Sequence, residues 1–360
     1  GLTQVLLAVE KPPSLVGCCI TSPCGPFVRR NFVYRGEVFE KEWVYKYFLA
    51  MAQDKGNHTR VFEYFNIPWW WRILYFFLKA ISREFHMELA IILFSLKERV
   101  LSYSPQEFSN LMSSLGFEFM EELIFEDNSQ FSLLEEKLSI DVPIFLVSSW
   151  NDKFLFNTYQ LFKNNDNKFS KLVIGPWGHL MRYLKPTEYG GGIIRYGARY
   201  DLLEEHLHWL DNLMKKENNN FGPLVTYFRT GENEWHEGKT WPANGEKIFY
   251  LGKNNSLSKT KSESDILSIY HDPENISMTL GGRTIDRESK MGFQNHSQGY
   301  NPSKVTEFHT DYLNQSLICE GGIAVSLELV CSKKCKIIAT ILDEVPEQGQ
   351  WINIADGVEN

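Results

Sequence analysis

The run IDVPIFLVSSW, residues 140–150, constrains the fold more than any other stretch. It is compact, apolar and rich in β-branched residues, with a proline near its start. A short run that is apolar without alternation reads as a strand buried on both faces, the situation of a parallel sheet covered by helices. The sequence that follows agrees. NDKFLFNTYQLFKNN reads as loop and helix, and KLVIGPWGH, residues 171–179, as a second strand and its loop. DLLEEHLHWLDNLMKKENNN reads as an amphipathic helix with Leu203, Leu207, Leu210 and Met214 on one face, ending in an Asn-rich turn. Strand, helix, strand, helix is the order of a doubly wound α/β fold.

In open α/β sheets, chemistry sits beyond the carboxyl ends of the strands. Asp152 lies just past the first of these strands and His179 just past the second. A carboxylate in that place can fix an imidazole tautomer and stabilise the imidazolium. The imidazole can then take a proton from a nucleophile and return it to a leaving group. Each residue also has a structural reading. Asp152 precedes a helical pattern and would serve as its N-cap; His179 would be a loop histidine bonded to backbone. Taken together, at two strand ends and in the hydrolase order of acid then base, the pair favours catalysis.

The rest of the chain divides by pattern. It opens GLTQVLLAVEKPP, with Leu2, Val5, Leu6 and Val9 at helical spacing and Pro12-Pro13 as a stop, and LVGCCIT follows as a buried strand. This places the first residue at or inside the first turn of a helix, so a segment upstream is expected. Residues 29–138 are dominated by helical patterns dense in aromatics. The stretch IPWWWRILYFFLKAISREFHMELAIILFSLKERVL is broken by Arg72, Lys79, Arg83, Glu84, His86 and Glu88, and offers nothing near the roughly 20 apolar residues of a membrane span. It reads as core helices of an all-helical insert, or as an aromatic lid over an apolar substrate or membrane surface. In SPQEFSNLM, Ser104 is placed as N-cap with Pro105 at the first helical position and Glu107 at the third. From residue 222 the chain reads all-β, with LVTYFRT, KIFYLG, IAVSLELVC and CKIIATILDE as the clearest strands.

Charge excludes one class. A formal net charge of -8 lacks the basic footprint of nucleic-acid binding. No HExxH or similar spacing marks a metal site, and no catalytic metal or other cofactor is expected. The histidines His206 and His208 fall on the long helix, as interfacial or solvated side chains. The cysteines, Cys18, Cys19, Cys24, Cys319, Cys331 and Cys335, lack the spacing of zinc knuckles and read as reduced, partly buried thiols. A Cys331–Cys335 disulfide is the lesser alternative, and Cys24 has no local base to activate it. No GxSxG nucleophile elbow is present. Ser148 and Ser149 lie within a strand, and Ser22 follows a strand but precedes no helix. The opening helix is of the type that follows an elbow, with Gly1 as its closing glycine.

These features together resemble the family of cocaine esterase, X-prolyl dipeptidyl peptidase and glutaryl cephalosporin acylase. GLTQ is similar to the end of that family's GxSYxG-[LV]-T-Q segment. VPIFLVSSWNDKF is similar to its acid loop, with Asp152 at the acid, and KLVIGPWGH to its histidine segment, with His179 at the base. VTYFRTGENEWHEGKTWP, residues 225–242, resembles the opening strand of its C-terminal domain, and IFYLGKNNSLS, HDPENISMTLGG and INIADG follow in order. The resemblance implies an α/β-hydrolase domain with a helical cap and a C-terminal jelly-roll β-sandwich. The implied partition is hydrolase at 1–28 and 139–220, cap at 29–138, and an incomplete jelly roll at 221–360.

The resemblance also implies a serine hydrolase that cleaves ester or amide bonds, X-prolyl peptide bonds included, through an acyl-enzyme. Its nucleophile and the following tyrosine would precede Gly1, and further strands would follow Asn360. The chain alone is then expected to be a fragment truncated at both ends and inactive. Family members that hold a free α-amino group carry carboxylates shortly after the acid. Here Lys153, Phe154 and Leu155 follow, so an apolar acyl or aryl substrate fits better. Phe154 and Tyr34 are the candidate pocket residues, with plain packing as the other reading of each. The expected partner is a small ester or amide or a short peptide, without nucleic acid or membrane; a homodimer stays open, and so does the compartment, leaning to the cytoplasm. The alternative function is a noncatalytic binding or decayed protein that keeps the β module.

Overall fold

The computed structural model describes residues 1–25, 32–35, 38–41, 43–45, 47, 99–100, 102–114, 117–118, 120–125, 140–179, 188–189, 192–193, 200–215, 221–242, 245–261, 266–269, 280–283, 292–333, 335–345 and 349–359. The aromatic stretch at 67–96 and the Asn-rich turn at 216–220 lie outside them, as does most of HDPENISMTLGG. The strands, in chain order, are β1 (Cys18–Thr21), β2 (Tyr34–Arg35), β3 (Val38–Phe39), β4 (Ile144–Ser149), β5 (Lys171–Gly175), β6 (Glu188–Tyr189), β7 (Gly192–Ile193), β8 (Val225–Arg229), β9 (Glu234–Gly238), β10 (Tyr250–Gly252), β11 (Ser256–Ser258), β12 (Ile337–Val345) and β13 (Gln350–Glu359). The chain forms two compact units, one built mainly from 3–23 and 140–357, the other from 24–139.

The larger unit is organised by one five-stranded sheet in the order β1-β4-β5-β8-β9. The first three junctions are parallel and β9 returns antiparallel from β8. Every residue of β4 and of β5 is buried, as the unbroken apolar runs require. The helix Leu155–Lys163 provides the crossover from β4 to β5, and the helix Leu202–Lys215 lies between β5 and β8 in sequence. Phe145, Val147, Val173, Trp177, Trp209, Leu213 and Phe221 form the core on one face.

Two expectations change in this frame. The core-facing stripe of the Leu202–Lys215 helix carries Trp209 and Leu213, while Leu203, Leu207, Leu210 and Met214 are exposed. The apolar stripe at 203, 207, 210 and 214 has the helical period but lacks a large ring. Trp209 takes the buried side instead, its Nε1–H donating to the Phe169 carbonyl at 2.8 Å. Second, VTYFRTGENEWHEG supplies β8 and β9 of the α/β sheet rather than the first strand of a separate β domain. Val225, Thr226 and Phe228 are completely buried beside β5, and parallel pairing there satisfies their backbone groups.

The other elements are small antiparallel ladders: β10 with β11, β12 with β13, and β6 with β7. Phe228, Phe293 and Ile352 form a second core cluster. KIFYLG gives β10 and CKIIATILDE gives β12, but IAVSLELVC forms no strand among the described residues. Its alternating Ile323, Val325, Leu327 and Leu329 are exposed. The fold is thus mixed α/β, with a mainly parallel sheet and separate small antiparallel sheets.

In the smaller unit the β2–β3 hairpin and the helices Pro105–Ser114 and Met120–Phe125 are described. Ser104 caps the first of these as expected. Its backbone N–H donates to Glu107 Oε2 at 2.7 Å, and its Oγ accepts from the Glu107 N–H at 3.3 Å. Phe32 stands edge-on to Trp43 and Tyr47, and Phe39 edge-on to Phe108. Among the described residues no helix is long and apolar enough to cross a membrane.

Two positions test the packing of the sheet. A Cβ on Gly175 would lie 2.4 Å from the Trp177 ring, so Gly175→Ala should cost about 1–3 kcal/mol, read as a lowered urea midpoint. Lys171 is buried in β5 and its ammonium is ion-paired with Glu205. Glu205→Ala leaves that charge uncompensated and should cost about 3 kcal/mol, whereas Lys171→Met with Glu205→Gln should recover most of it.

Candidate active site

Because β1, β4, β5 and β8 run parallel, their carboxyl ends lie on one edge of the sheet. Backbone and side-chain bonds stitch that edge. The Ser22 N–H donates to the Val147 carbonyl at 2.9 Å, and the Trp150 N–H donates to the Gly175 carbonyl at 2.9 Å. Trp150 Nε1–H reaches the Phe228 carbonyl at 2.6 Å, so one residue ties the ends of β4, β5 and β8. Ser149 Oγ–H donates to the Gly178 carbonyl at 3.0 Å, which fixes the loop one residue before His179. Trp177, buried and tilted against Trp235, anchors the same loop in the core.

On this edge Asp152 and His179 meet. Asp152 is 0 % exposed. His179 Nδ1 lies 3.2 Å from each carboxylate oxygen, a bifurcated contact. A carboxylate only accepts hydrogen bonds, so Nδ1 carries the proton and the lone pair of Nε2 is left for proton transfer. Asp152 Oδ1 also accepts the Phe154 N–H at 2.8 Å, and Oδ2 accepts the Ser22 hydroxyl. Three donors from three loops therefore satisfy a carboxylate that water does not reach. Asp152 is not the helix N-cap: Phe154 occupies that position, without a side-chain cap bond.

The remaining candidates separate. Phe154 is buried and stands edge-on to the His179 ring, centroids 5.4 Å apart. Tyr34 belongs to the smaller unit, where its hydroxyl donates to the Ile124 carbonyl at 2.7 Å. His206 packs edge-on against Phe145, 4.3 Å between centroids, away from any role at this edge. Burial raises the Cys24 thiol, which disfavours the reactive thiolate. Burial, with Cys18 beside it, pushes Cys19 up to about 11. Among the described residues the donors of Glu232, Glu234 and His236 lie within 4.8 Å of one another at the β8–β9 hairpin. Glu232 is already paired with Arg229 at 2.7 Å and with His236 at 3.0 Å.

Ser22, weighed in the sequence only as a nucleophile, is instead a partner of Asp152. It lies in the turn after β1 with φ 44°, a left-handed conformation uncommon for a non-glycine residue. That turn is also where the first helix begins: a Cβ on Gly1 would lie 2.8 Å from Pro23 Cα and 3.3 Å from the Thr21 carbonyl. Only the fold brings the Ser22 hydroxyl to a carboxylate so distant in sequence, and no local pattern announces it.

The sequence model of the X-Pro dipeptidyl-peptidase family (S15) matches residues 127–181, a span that includes both Asp152 and His179. Cocaine esterase of Rhodococcus sp. (strain MB1 Bresler) is 24% identical over 246 residues, covering 63% of this chain and 42% of the esterase. Both matches mark a distant similarity to the X-Pro dipeptidyl-peptidase and cocaine esterase family. That family is of the serine-hydrolase type, and the chain spans less than half the length of the curated relative it matches. An aminopeptidase crystal structure from the marine sediment archaeon Thaumarchaeota archaeon overlaps with 69% of this chain and 46% of its own, at 16% identity and a TM-score of 0.44.

The Asp152 cluster makes a direct stability prediction. Ser22→Ala removes one of three donors to a buried carboxylate and should cost about 1–3 kcal/mol, read in urea unfolding.

Proposed function

We propose that this chain is the acid-and-base portion of a serine hydrolase of the α/β-hydrolase type that cleaves ester or amide bonds through an acyl-enzyme. The observation that carries the reading is the Asp152–His179 contact at the carboxyl ends of adjacent parallel strands. Asp152 holds the imidazole with its proton on Nδ1 and stabilises the imidazolium. His179 Nε2 takes the proton of the attacking serine and delivers it to the leaving group. The nucleophile is proposed to precede Gly1. In support, the amino end of the first helix lies against the Thr21–Pro23 turn, the turn whose Ser22 is bonded to Asp152. The distant relationship to hydrolases named for ester and peptide cleavage supports the same class.

In this reading residues 1–28 and 139–220 are hydrolase, 29–138 a cap-type insert, and the C-terminal part a jelly-roll module, with β8 and β9 continuing the hydrolase sheet. Phe154, edge-on to His179, is proposed as apolar pocket wall. Lys153 follows the acid where recognition of a free α-amine would call for carboxylates. The proposed substrate is therefore an apolar acyl or aryl ester or amide.

Fluorophosphonate labelling of the native full-length protein, followed by peptide mapping, tests the proposal. The expected label lies on a serine shortly before Leu2. His179→Ala and Asp152→Asn should each lower kcat on the order of 10⁴-fold or more while far-UV circular dichroism is kept. A folded protein that takes no label, or takes it on Ser22, overturns the assignment.

A further inference from the structure

Outside this site the chain carries a second grouping of nucleophilic side chains. Cys331 and Cys335 are both exposed, and their Sγ atoms lie 3.0 Å apart shortly before β12. A further approach of about 1 Å would bring them to the ~2 Å of a sulfur–sulfur bond. The bridge would close a loop of only a few residues. Lys333, Lys334 and Lys336 surround the pair in sequence, a local positive charge that attracts anionic disulfides. None of the other four cysteines combines exposure with a second sulfur at this distance: Cys319 is exposed without such a neighbour, and Cys18, Cys19 and Cys24 are at least partly covered.

We propose that Cys331 and Cys335 form a reversible dithiol–disulfide site that exchanges with low-molecular-weight disulfides of the glutathione type. The two thiols play different parts. The hydrogen bond to Cys331 holds the Cys335 thiol above its usual range, so the proton stays on Cys335. Cys331, as thiolate, attacks one sulfur of glutathione disulfide; a Cys331–glutathione bond forms, and the released glutathione takes up the proton that Cys331 lost. Cys335 then loses its proton and attacks the Cys331 sulfur, expelling the second glutathione, which takes that proton. Two protein thiols are oxidised and one glutathione disulfide is reduced to two thiols. The inference does not rest on the hydrolase reading, since neither cysteine touches Asp152 or His179.

The test uses the full-length protein incubated with glutathione disulfide, quenched in acid, alkylated and digested with trypsin. The expected result is a Cys331–Cys335 bridge that survives alkylation and is reversed by excess reduced glutathione, while the exposed Cys319 is recovered without a partner cysteine. Cys335→Ser should trap glutathione on Cys331, and Cys331→Ser should leave Cys335 largely alkylated. Recovery of Cys331 and Cys335 alkylated to the same extent as Cys319 overturns the proposal. So does a bridge to any other cysteine or to a second copy. The wild-type measurement decides the matter even where a variant folds poorly.

Discussion

A carboxylate sealed from water is the constraint around which the larger unit is arranged. Removing an ionised group from solvent costs several kcal/mol unless its lone pairs find donors. Asp152 finds them in the Phe154 N–H, the Ser22 hydroxyl and the His179 ring. These come from its own turn, from the end of β1 and from the end of β5. The Ser22 hydroxyl and the His179 ring are in reach only when β1, β4 and β5 are parallel and in the observed register. The hydrogen-bond demand of one side chain thus selects among arrangements of three strands, and the same bonds set the imidazole in an orientation suited to proton transfer.

The supports around that pair are aromatic as well as polar. Trp150 crosses the ends of three strands, and Trp177 turns back over Gly175 into the core. Site geometry and sheet stability therefore share side chains. Beyond β9, the ordering comes from fewer contacts. Glu320 accepts from Tyr227 at 2.7 Å and from Arg229 Nε at 2.9 Å, and its carbonyl accepts from Trp241 Nε1 at 2.7 Å. This knot ties the segment at 320 to β8 although the segment itself forms no ladder. The neighbouring apolar residues stay exposed.

The buried strands, the parallel topology and the placement of Asp152 and His179 at strand ends were legible in residues 140–179. Burial on both faces leaves a strong signature, an apolar run without alternation, and the residues just past such runs are few. The capping at Ser104 was legible for a similar reason: it is a contact between residues three apart, written in adjacent sequence. The buried face of the Leu202–Lys215 helix was not. Two apolar stripes fit the helical period, and the choice between them depends on where Trp209 can find the Phe169 carbonyl.

By itself, then, the sequence determined the local elements and the two chemical groups, because periodicity, caps and strand ends are properties of neighbouring residues. Tertiary structure alone decided that β8 and β9 extend the α/β sheet and that Ser22 serves Asp152. Those outcomes depend on which segments must share hydrogen bonds or exclude water together. Competition between distant partners settles them, and no stretch of sequence contains both competitors.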